Sequence, residues 1–124
     1  MTAPIPPQYT YRATCIHVVD GDTLDLAIDL GFDVHVHHRI RLHGVDTPET
    51  YGVRKDGEEY AAGMRATTRV EELVTGTPLI VETLKDRRGK YGRYLARIHF
   101  EHEGGWCELA RMLVDEGLAV ERVY

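Results

Sequence analysis

The stretch TLDLAIDLGFDVHVHHRIRL, residues 23–42, alternates apolar and polar side chains through most of its length. A period of two is typical of a β-strand with one face in a core and the other in water. Gly31-Phe32-Asp33 interrupts the alternation and is typical of a hairpin connection. The stretch therefore predicts two antiparallel strands, with Leu30 and Val34 on their apolar face and Arg41 on their polar face.

A helix is predicted at residues 58–74, where the period of the apolar residues changes to 3.6. Gly76 and Pro78 follow it as stop signals. The apolar stripe of this helix consists of Ala62, Ala66, Val70 and Leu73. Alanine in such a stripe allows close approach to a sheet.

Further strands are predicted at residues 9–19, 79–84 and 94–100. The first of them ends at the turn sequence Asp20-Gly21-Asp22. A second amphipathic helix that ends at Gly117 is also predicted. Its apolar face would consist of Trp106, Leu109, Met112 and Leu113. We expect Trp106, like Tyr60, to be a packing residue.

The predicted order is three strands, a helix, two strands and a second helix. This order favours a mainly β (α+β) fold, a five-stranded Greek-key barrel of the OB type. Barrel closure removes the exposed strand edges that an open sheet would leave. Residues 1–8, which are rich in proline, are expected to form a flexible arm, and residues 9–124 to form one domain.

The overall charge and its distribution along the chain indicate whether the protein could bind nucleic acid. The formal net charge of −5 argues mildly against a non-specific nucleic-acid binder, because such proteins are usually basic. Residues 85–97, however, carry six positive side chains against one acidic side chain. This basic segment predicts a local patch that attracts phosphate.

Cellular location is predicted from the cysteines and the apolar runs. Cys15 and Cys107 are too few for a disulfide framework. No secretory signal and no membrane span are apparent, which favours the cytoplasm, although a processed secreted precursor would look the same. The chain is expected to be a monomer.

Two carboxylates are predicted to meet at one end of the barrel. Asp22 opens the first strand of the hairpin and Asp46 follows the end of the second, and these two ends lie side by side in a hairpin. Two neighbouring carboxylates repel each other unless one is protonated or a cation lies between them. Their oxygens, with the backbone carbonyl of Thr47, suit Ca²⁺. Taken singly, each aspartate is more simply explained as a turn residue.

Three more residues near these aspartates suit phosphate chemistry. Glu49 follows Asp46 by three residues and has the chemistry to position or deprotonate a water. Arg41 and Arg93 have the planar fork that grips phosphate oxygens. Each of the three, considered alone, is more simply an ordinary surface residue.

Four segments together resemble one known family. VDGDT (residues 19–23), RLHGVDTPE (41–49) and KYGR (90–93) resemble the three signature segments of the staphylococcal (thermonuclease) nuclease family. LVDEGLA (113–119) resembles the second core helix of that family and the turn after it. The resemblance extends from about residue 11 to the end of the chain.

The resemblance implies an OB-fold nuclease that uses Ca²⁺ and cleaves DNA or RNA by in-line attack of water, leaving a 3′-phosphate. It assigns Asp22, Asp46 and Thr47 to the metal. Catalytic roles fall to Arg41, Glu49 and Arg93, with Glu49 as general base or water-positioning group, and nucleotide-binding roles to Lys90, Tyr91 and Tyr124.

The chain departs from the family in two places. The sequence stops soon after its second helix, where the best-known members continue into a third, so we expect a barrel with two helices only. Gly89 also stands where an acidic residue often precedes the KYGR segment.

Other functions are weighed against this one. A non-catalytic module that binds nucleic acid or protein on the same barrel is the main alternative, and a simple Ca²⁺-binding protein is a weaker one. A zinc site at His35, His37 and His38 is less favoured, since such a site needs three or four converging ligands.

Overall fold

The structure, a computed structural model, describes residues 4–88 and 93–123, and for residues 85–88 it describes the backbone only. Eight strands and two helices form within the described residues. In chain order they are β1 (Thr10–Asp20), β2 (Thr23–Gly31), β3 (Val34–Leu42), β4 (Val45–Asp46), α1 (Glu58–Val74), β5 (Leu79–Arg88), β6 (Tyr94–His102), β7 (Gly105–Glu108), α2 (Leu109–Asp115) and β8 (Val120–Glu121).

Five strands close into a barrel. The strand β1 pairs antiparallel with both β2 and β5, β2 pairs with β3, and β5 pairs with β6. Parallel pairing of β3 with β6, from Ile40 opposite Tyr94 to Leu42 opposite Ala96, completes the ring. The predicted fold class, a mainly β five-stranded OB barrel with two helices, is confirmed.

The barrel encloses the main core. Its largest fully buried side chains include Leu24, Leu26, Ile40, Ile98 and Phe100, and each stabilises the fold by roughly 1.5–3 kcal/mol on burial. The sequence analysis placed Leu30 and Val34 on the apolar face of the hairpin. At the far end of β2 and β3, however, these two residues are 39% and 48% exposed. The turn between them, through Phe32 and Asp33 at φ of 53° and 59°, extends past the core.

The helix α1 has the predicted bounds and packs against β1. Its buried face includes Gly63, Ala66 and Val70. A Cβ at Gly63 would lie 2.6 Å from Thr50 Cγ2 and 2.7 Å from the Pro48 carbonyl oxygen. The loop after β4 therefore packs directly on the helix backbone, which fixes where that loop lies.

The prediction for Trp106 is wrong in both position and role. Glu103 and Gly104, at φ of 50° and 82°, form a tight turn that brings the chain back along β6. Trp106 therefore lies on the edge strand β7, opposite Glu101, with 64% of its surface exposed. The helix α2 begins only at Leu109.

A short ladder after α2 was not predicted. The strand β8 pairs antiparallel with β4, with Val45 opposite Glu121 and Asp46 opposite Val120. Gly117, at φ of 75°, allows the chain to turn back from α2 towards this ladder. The segment after the second helix is thereby returned to the end of the barrel where Asp46 lies.

Two remaining features concern cysteines and helix length. Cys15 and Cys107 are free, part-buried thiols that pack against the core. Neither α1 nor α2 has the length and apolar character needed to cross a membrane, and the same holds throughout residues 4–88 and 93–123.

Candidate active site

The Asp22 carboxylate lies in the turn between β1 and β2 and is buried, with 8% of the residue exposed. Its Oδ1 accepts a hydrogen bond from the Thr23 hydroxyl, and its Oδ2 accepts one from the Thr47 backbone N–H, both at 3.1 Å. The Leu42 N–H donates to the Asp22 carbonyl at 2.9 Å. These bonds join the start of β2, the end of β3 and the residue after β4 at one point.

The turn fits closely because its central residue is glycine. A Cβ at Gly21 would lie 2.8 Å from Ala66 Cβ on α1 and 2.8 Å from Thr47 Cγ2. Real Cβ atoms essentially never approach other atoms that closely. The glycine thus allows α1, the turn and Thr47 to meet around Asp22.

Asp20 is a member of this group that the sequence analysis treated only as a turn residue. Burial raises its pKa to about 6, and the hydrogen bond with the Asp22 side chain and the negative charge of Asp22 act in the same direction. Burial also acts to raise the pKa of Asp22. Hydrogen bonds from Asp20 and the Thr47 N–H, with the charge of Arg41, outweigh it and hold that pKa below its usual range. Asp22 therefore stays ionised while Asp20 holds a proton more readily. The Asp-Gly-Asp spacing in the sequence is the signal from which the role of Asp20 beside Asp22 could have been predicted.

Arg41 is buried, although the alternation of β3 places it on the polar face; only 6% of the residue is exposed. Its Nη1 donates to the carbonyl oxygens of Leu42 and Val45, each at 2.8 Å. Its Nη2 contacts an Asp46 carboxylate oxygen and lies 3.5 Å from Asp22 Oδ2. One guanidinium thus bridges both aspartates. The predicted meeting of Asp22 and Asp46 at one end of the barrel is confirmed.

Arg93, the residue before β6, approaches the same group. Its Nη1 donates to the Thr23 hydroxyl at 3.1 Å, and that hydroxyl donates in turn to Asp22. Glu49 lies on the loop that packs against Gly63, and its side chain is exposed. Three predicted nucleotide-binding residues, Lys90, Tyr91 and Tyr124, lie outside the described residues.

Arg122 is a further residue that the sequence analysis missed. Its Nη1 lies 3.2 Å from Asp46 Oδ1. Asp46 therefore pairs with a second arginine, which is 76 residues away in the sequence. The backbone N–H of Arg122 donates to the Gly44 carbonyl at 2.8 Å. No local pattern indicates this contact, because it depends on the pairing of β8 with β4.

The donors near Asp22 and Asp46 suit a hard divalent cation. The described part of the chain contains no cluster of three or more His, Cys, Asp or Glu side chains suited to hold a metal ion. Two carboxylates converge on Arg41, however, and the backbone of Thr47 is hydrogen-bonded to one of them. The two carboxylates are hard oxygen ligands, of the kind that suits a cation that takes its remaining ligands from carbonyls and water.

Comparison with known proteins gives a consistent result. Residues 39–124 match the family model of the staphylococcal nuclease homologues. The chain is 35% identical over 107 residues to the thermonuclease of Staphylococcus intermedius, which covers 86% of this chain and 57% of that protein.

Two proteins of Bacillus subtilis (strain 168) are also similar to this chain. The SPbeta prophage-derived endonuclease YokF is 35% identical over 107 residues, covering 86% of this chain and 32% of that protein. The endonuclease YncB is 34% identical over 109 residues, covering 87% and 46%. The chain therefore spans less than two thirds of each relative. On the family match, the barrel and the paired aspartates, the chain belongs to the staphylococcal nuclease homologue family.

Proposed function

We propose that this chain is a Ca²⁺-dependent nuclease that hydrolyses phosphodiester bonds of DNA or RNA and leaves 3′-phosphate ends. The observation that carries the proposal is the bridge of Arg41 between Asp22 and Asp46, with Arg93 one hydroxyl group away. The relatives are thermonuclease and endonucleases, which supports phosphodiester cleavage. The domain proposed to carry the activity comprises residues 9–124.

The metal-binding part of the proposal concerns three residues. The carboxylates of Asp22 and Asp46 and the backbone carbonyl of Thr47 would hold Ca²⁺, whose preference is for hard oxygen ligands. When bound, the ion supplies positive charge that neutralises a phosphate oxygen and polarises the phosphorus. The depressed pKa of Asp22 keeps that carboxylate ionised and ready for a cation.

The arginines are proposed to bind the phosphate that is cleaved. Arg41 has its Nη1 committed to two carbonyl oxygens, so the orientation of its guanidinium is set before a substrate arrives. Arg93 is placed by its bond to the Thr23 hydroxyl. Fixed N–H donors stabilise the negative charge that grows on the phosphate oxygens as water attacks, without reorganisation during the step.

Glu49 is proposed as the general base. Its side chain is exposed and lies three residues after Asp46, and a carboxylate there would position or deprotonate the attacking water. As the water oxygen bonds to phosphorus, its proton passes to the Glu49 carboxylate. The bond from phosphorus to the 5′ oxygen breaks, and that oxygen takes up a proton from solvent. Lys90, Tyr91 and Tyr124 remain proposed contacts to the nucleotide.

The proposal is tested by incubating the purified chain with single-stranded DNA, with and without Ca²⁺, and separating the products on a gel. We expect cleavage only with Ca²⁺, and product ends that a phosphatase converts to 3′-hydroxyls. If no cleavage occurs at any Ca²⁺ concentration, the nuclease proposal fails and the same barrel is better explained as a binding module.

A second test isolates Glu49. The substitution Glu49→Gln removes the base and keeps the size of the side chain, so turnover should fall by about 10²–10⁴-fold. Ca²⁺-dependent binding of a nucleotide should persist. Glu101→Gln, an exposed glutamate on β6, is the matched control and should cleave like the parent. Unchanged turnover in Glu49→Gln would show that Glu49 is not the base.

A further inference from the structure

The open end of the barrel contains an aromatic pocket of about 310 Å³. Each of the five barrel strands contributes residues to it, so the pocket is the mouth of the barrel. Small-molecule sites measure roughly 300–1,000 Å³ and occur in the mouths of β-barrels, so this volume suits one small planar group. The lining of this mouth pocket includes Tyr9, Tyr11, Val36, His38, Tyr94 and Leu95.

The core and the sheet hold the aromatic lining of the mouth pocket in place. Tyr11 and Tyr94 pack against the hydrophobic core, and the rings of His38 and Tyr94 meet edge to face with their centroids 5.1 Å apart. The Tyr9 carbonyl accepts a hydrogen bond from the Thr83 N–H at 2.9 Å, which fixes the start of β1 against β5. Rings that are positioned before a ligand arrives lower the entropy cost of binding it.

The mouth pocket adjoins the candidate active site. Tyr94 directly follows Arg93, whose Nη1 donates to the Thr23 hydroxyl beside Asp22. Leu95, which also lines the pocket, lies opposite Arg41 in the ladder between β3 and β6. Both arginines that are proposed to bind the phosphate are therefore next to a residue of the pocket, one along the chain and one across the sheet.

A nucleotide combines a flat π-face with a charged phosphate, and proteins that bind single strands combine aromatic rings with positive groups to match it. The mouth pocket supplies the rings, and Arg41 and Arg93 supply the positive groups. We propose that the mouth pocket binds one unpaired base of the nucleic acid, the base nearest the phosphate that the two arginines hold. Stacking on a tyrosine tolerates any base, because every base has a π-face. The proposal rests on the nuclease function proposed above.

The test measures binding of single-stranded thymidine hexamers at saturating Ca²⁺, with Glu49→Gln in every protein to prevent turnover. In a series of hexamers that each lack one base, one should bind the Glu49→Gln protein about 5- to 150-fold more weakly than the intact hexamer, the range for one base stacked on an aromatic ring. Adding Val36→Trp, whose indole fills the pocket, should weaken the intact hexamer by a similar factor and leave that abasic hexamer unaffected. Tyr9→Ala should act in the same way with a smaller factor.

Trp106→Ala is the matched control, because Trp106 is an exposed aromatic residue outside the mouth pocket, and it should leave the binding of every hexamer unchanged. The proposal is overturned if no missing base weakens binding, or if Val36→Trp and Tyr9→Ala affect the intact and abasic hexamers equally. Tyr9 is 38% exposed and precedes β1, so Tyr9→Ala decides the test if thermal unfolding shows that Val36→Trp does not fold.

The same hexamers separate this inference from the nuclease proposal. If the chain with Glu49 intact neither binds nor cleaves the intact hexamer, the nuclease proposal has failed and this inference fails with it. If that chain binds and cleaves the hexamer while the pocket variants show no preference for the intact strand, this inference alone has failed.

Discussion

The candidate site has two halves that differ in burial. The inner half consists of Asp22, Arg41 and Thr47, of which 8%, 6% and 7% is exposed. The outer half consists of Asp46 and Arg122, whose side chains are 43% and 46% exposed, together with the exposed Glu49. The inner half lies where the turn between β1 and β2, the end of β3 and the residue after β4 are hydrogen-bonded together. We infer that changes in the inner half alter folding and chemistry together, while a change at the exposed Glu49 alters chemistry alone.

The inner half tolerates burial because its polar groups are paired. Within the described residues, no buried side-chain nitrogen or oxygen lacks a hydrogen-bond partner. A buried charge costs several kcal/mol when its partner is removed, far more than a surface pair contributes. The predictions below follow from this difference, in order of decreasing effect.

The largest effect is expected for Arg41→Met. The substitution leaves Asp22 buried without its guanidinium and leaves two carbonyl oxygens without their donor, so the free energy of unfolding should fall by about 3–5 kcal/mol. Urea unfolding measures it. Arg39→Met is the control, since Arg39 forms an exposed pair with Asp25 and should cost less than about 1 kcal/mol. Equal, small losses would remove the distinction between the two halves.

The next largest effect is expected for Arg93, whose substitution should lower the rate of cleavage more than it lowers stability. Arg93→Ala should lower kcat by about 10²–10³-fold, the cost of removing one oriented donor to a transition state. Binding of a nucleotide product should change far less. The measurements are single-turnover rates and product dissociation constants. Comparable losses in rate and in product binding would mean that Arg93 binds the phosphate no more strongly in the transition state than in the ground state.

A smaller effect on stability is expected for Gly21→Ala. The added Cβ would lie 2.8 Å from Ala66 Cβ and Thr47 Cγ2, and such overpacking costs about 1–3 kcal/mol. The control is Gly105→Ala, where an added Cβ has no atom within 4 Å. Thermal unfolding of both variants should separate them; if both match the parent, the turn is not seated as closely as described.

The smallest effect is expected away from both halves, at the pair of Arg69 on α1 and Glu116 after α2. The hydrogen bond from Arg69 holds the pKa of Glu116 below its ordinary value of 4.5. The pair therefore contributes stability above that pH and loses it as the pH falls through the lower folded value. Glu116→Gln should cost roughly 0.2–1 kcal/mol at pH 7. In urea unfolding the difference from the parent should vanish in acid, and a difference that grows in acid would contradict this.

Much of the fold followed from local patterns. Alternation over residues 23–42 predicted the β2–β3 hairpin, and the 3.6-residue period predicted α1 with its observed bounds. Hairpin geometry even predicted that Asp22 and Asp46 would meet, since the register places Thr23 opposite Arg41. These features were accessible because each depends on residues close in sequence, whose backbone preferences and spacing act directly on one another.

Four features were decided only by the tertiary structure. Arg41 is buried on a strand face that the alternation predicts to be polar, and burial at the turn raises the pKa of Asp20. The turn at Glu103 and Gly104 takes Trp106 out of the predicted helix. The pairing of β8 with β4 carries Arg122 across 76 residues to Asp46. Periodicity describes which face of an element is apolar. It does not describe which distant element will cover that face, and burial, charge pairing and proton affinity depend on that covering partner.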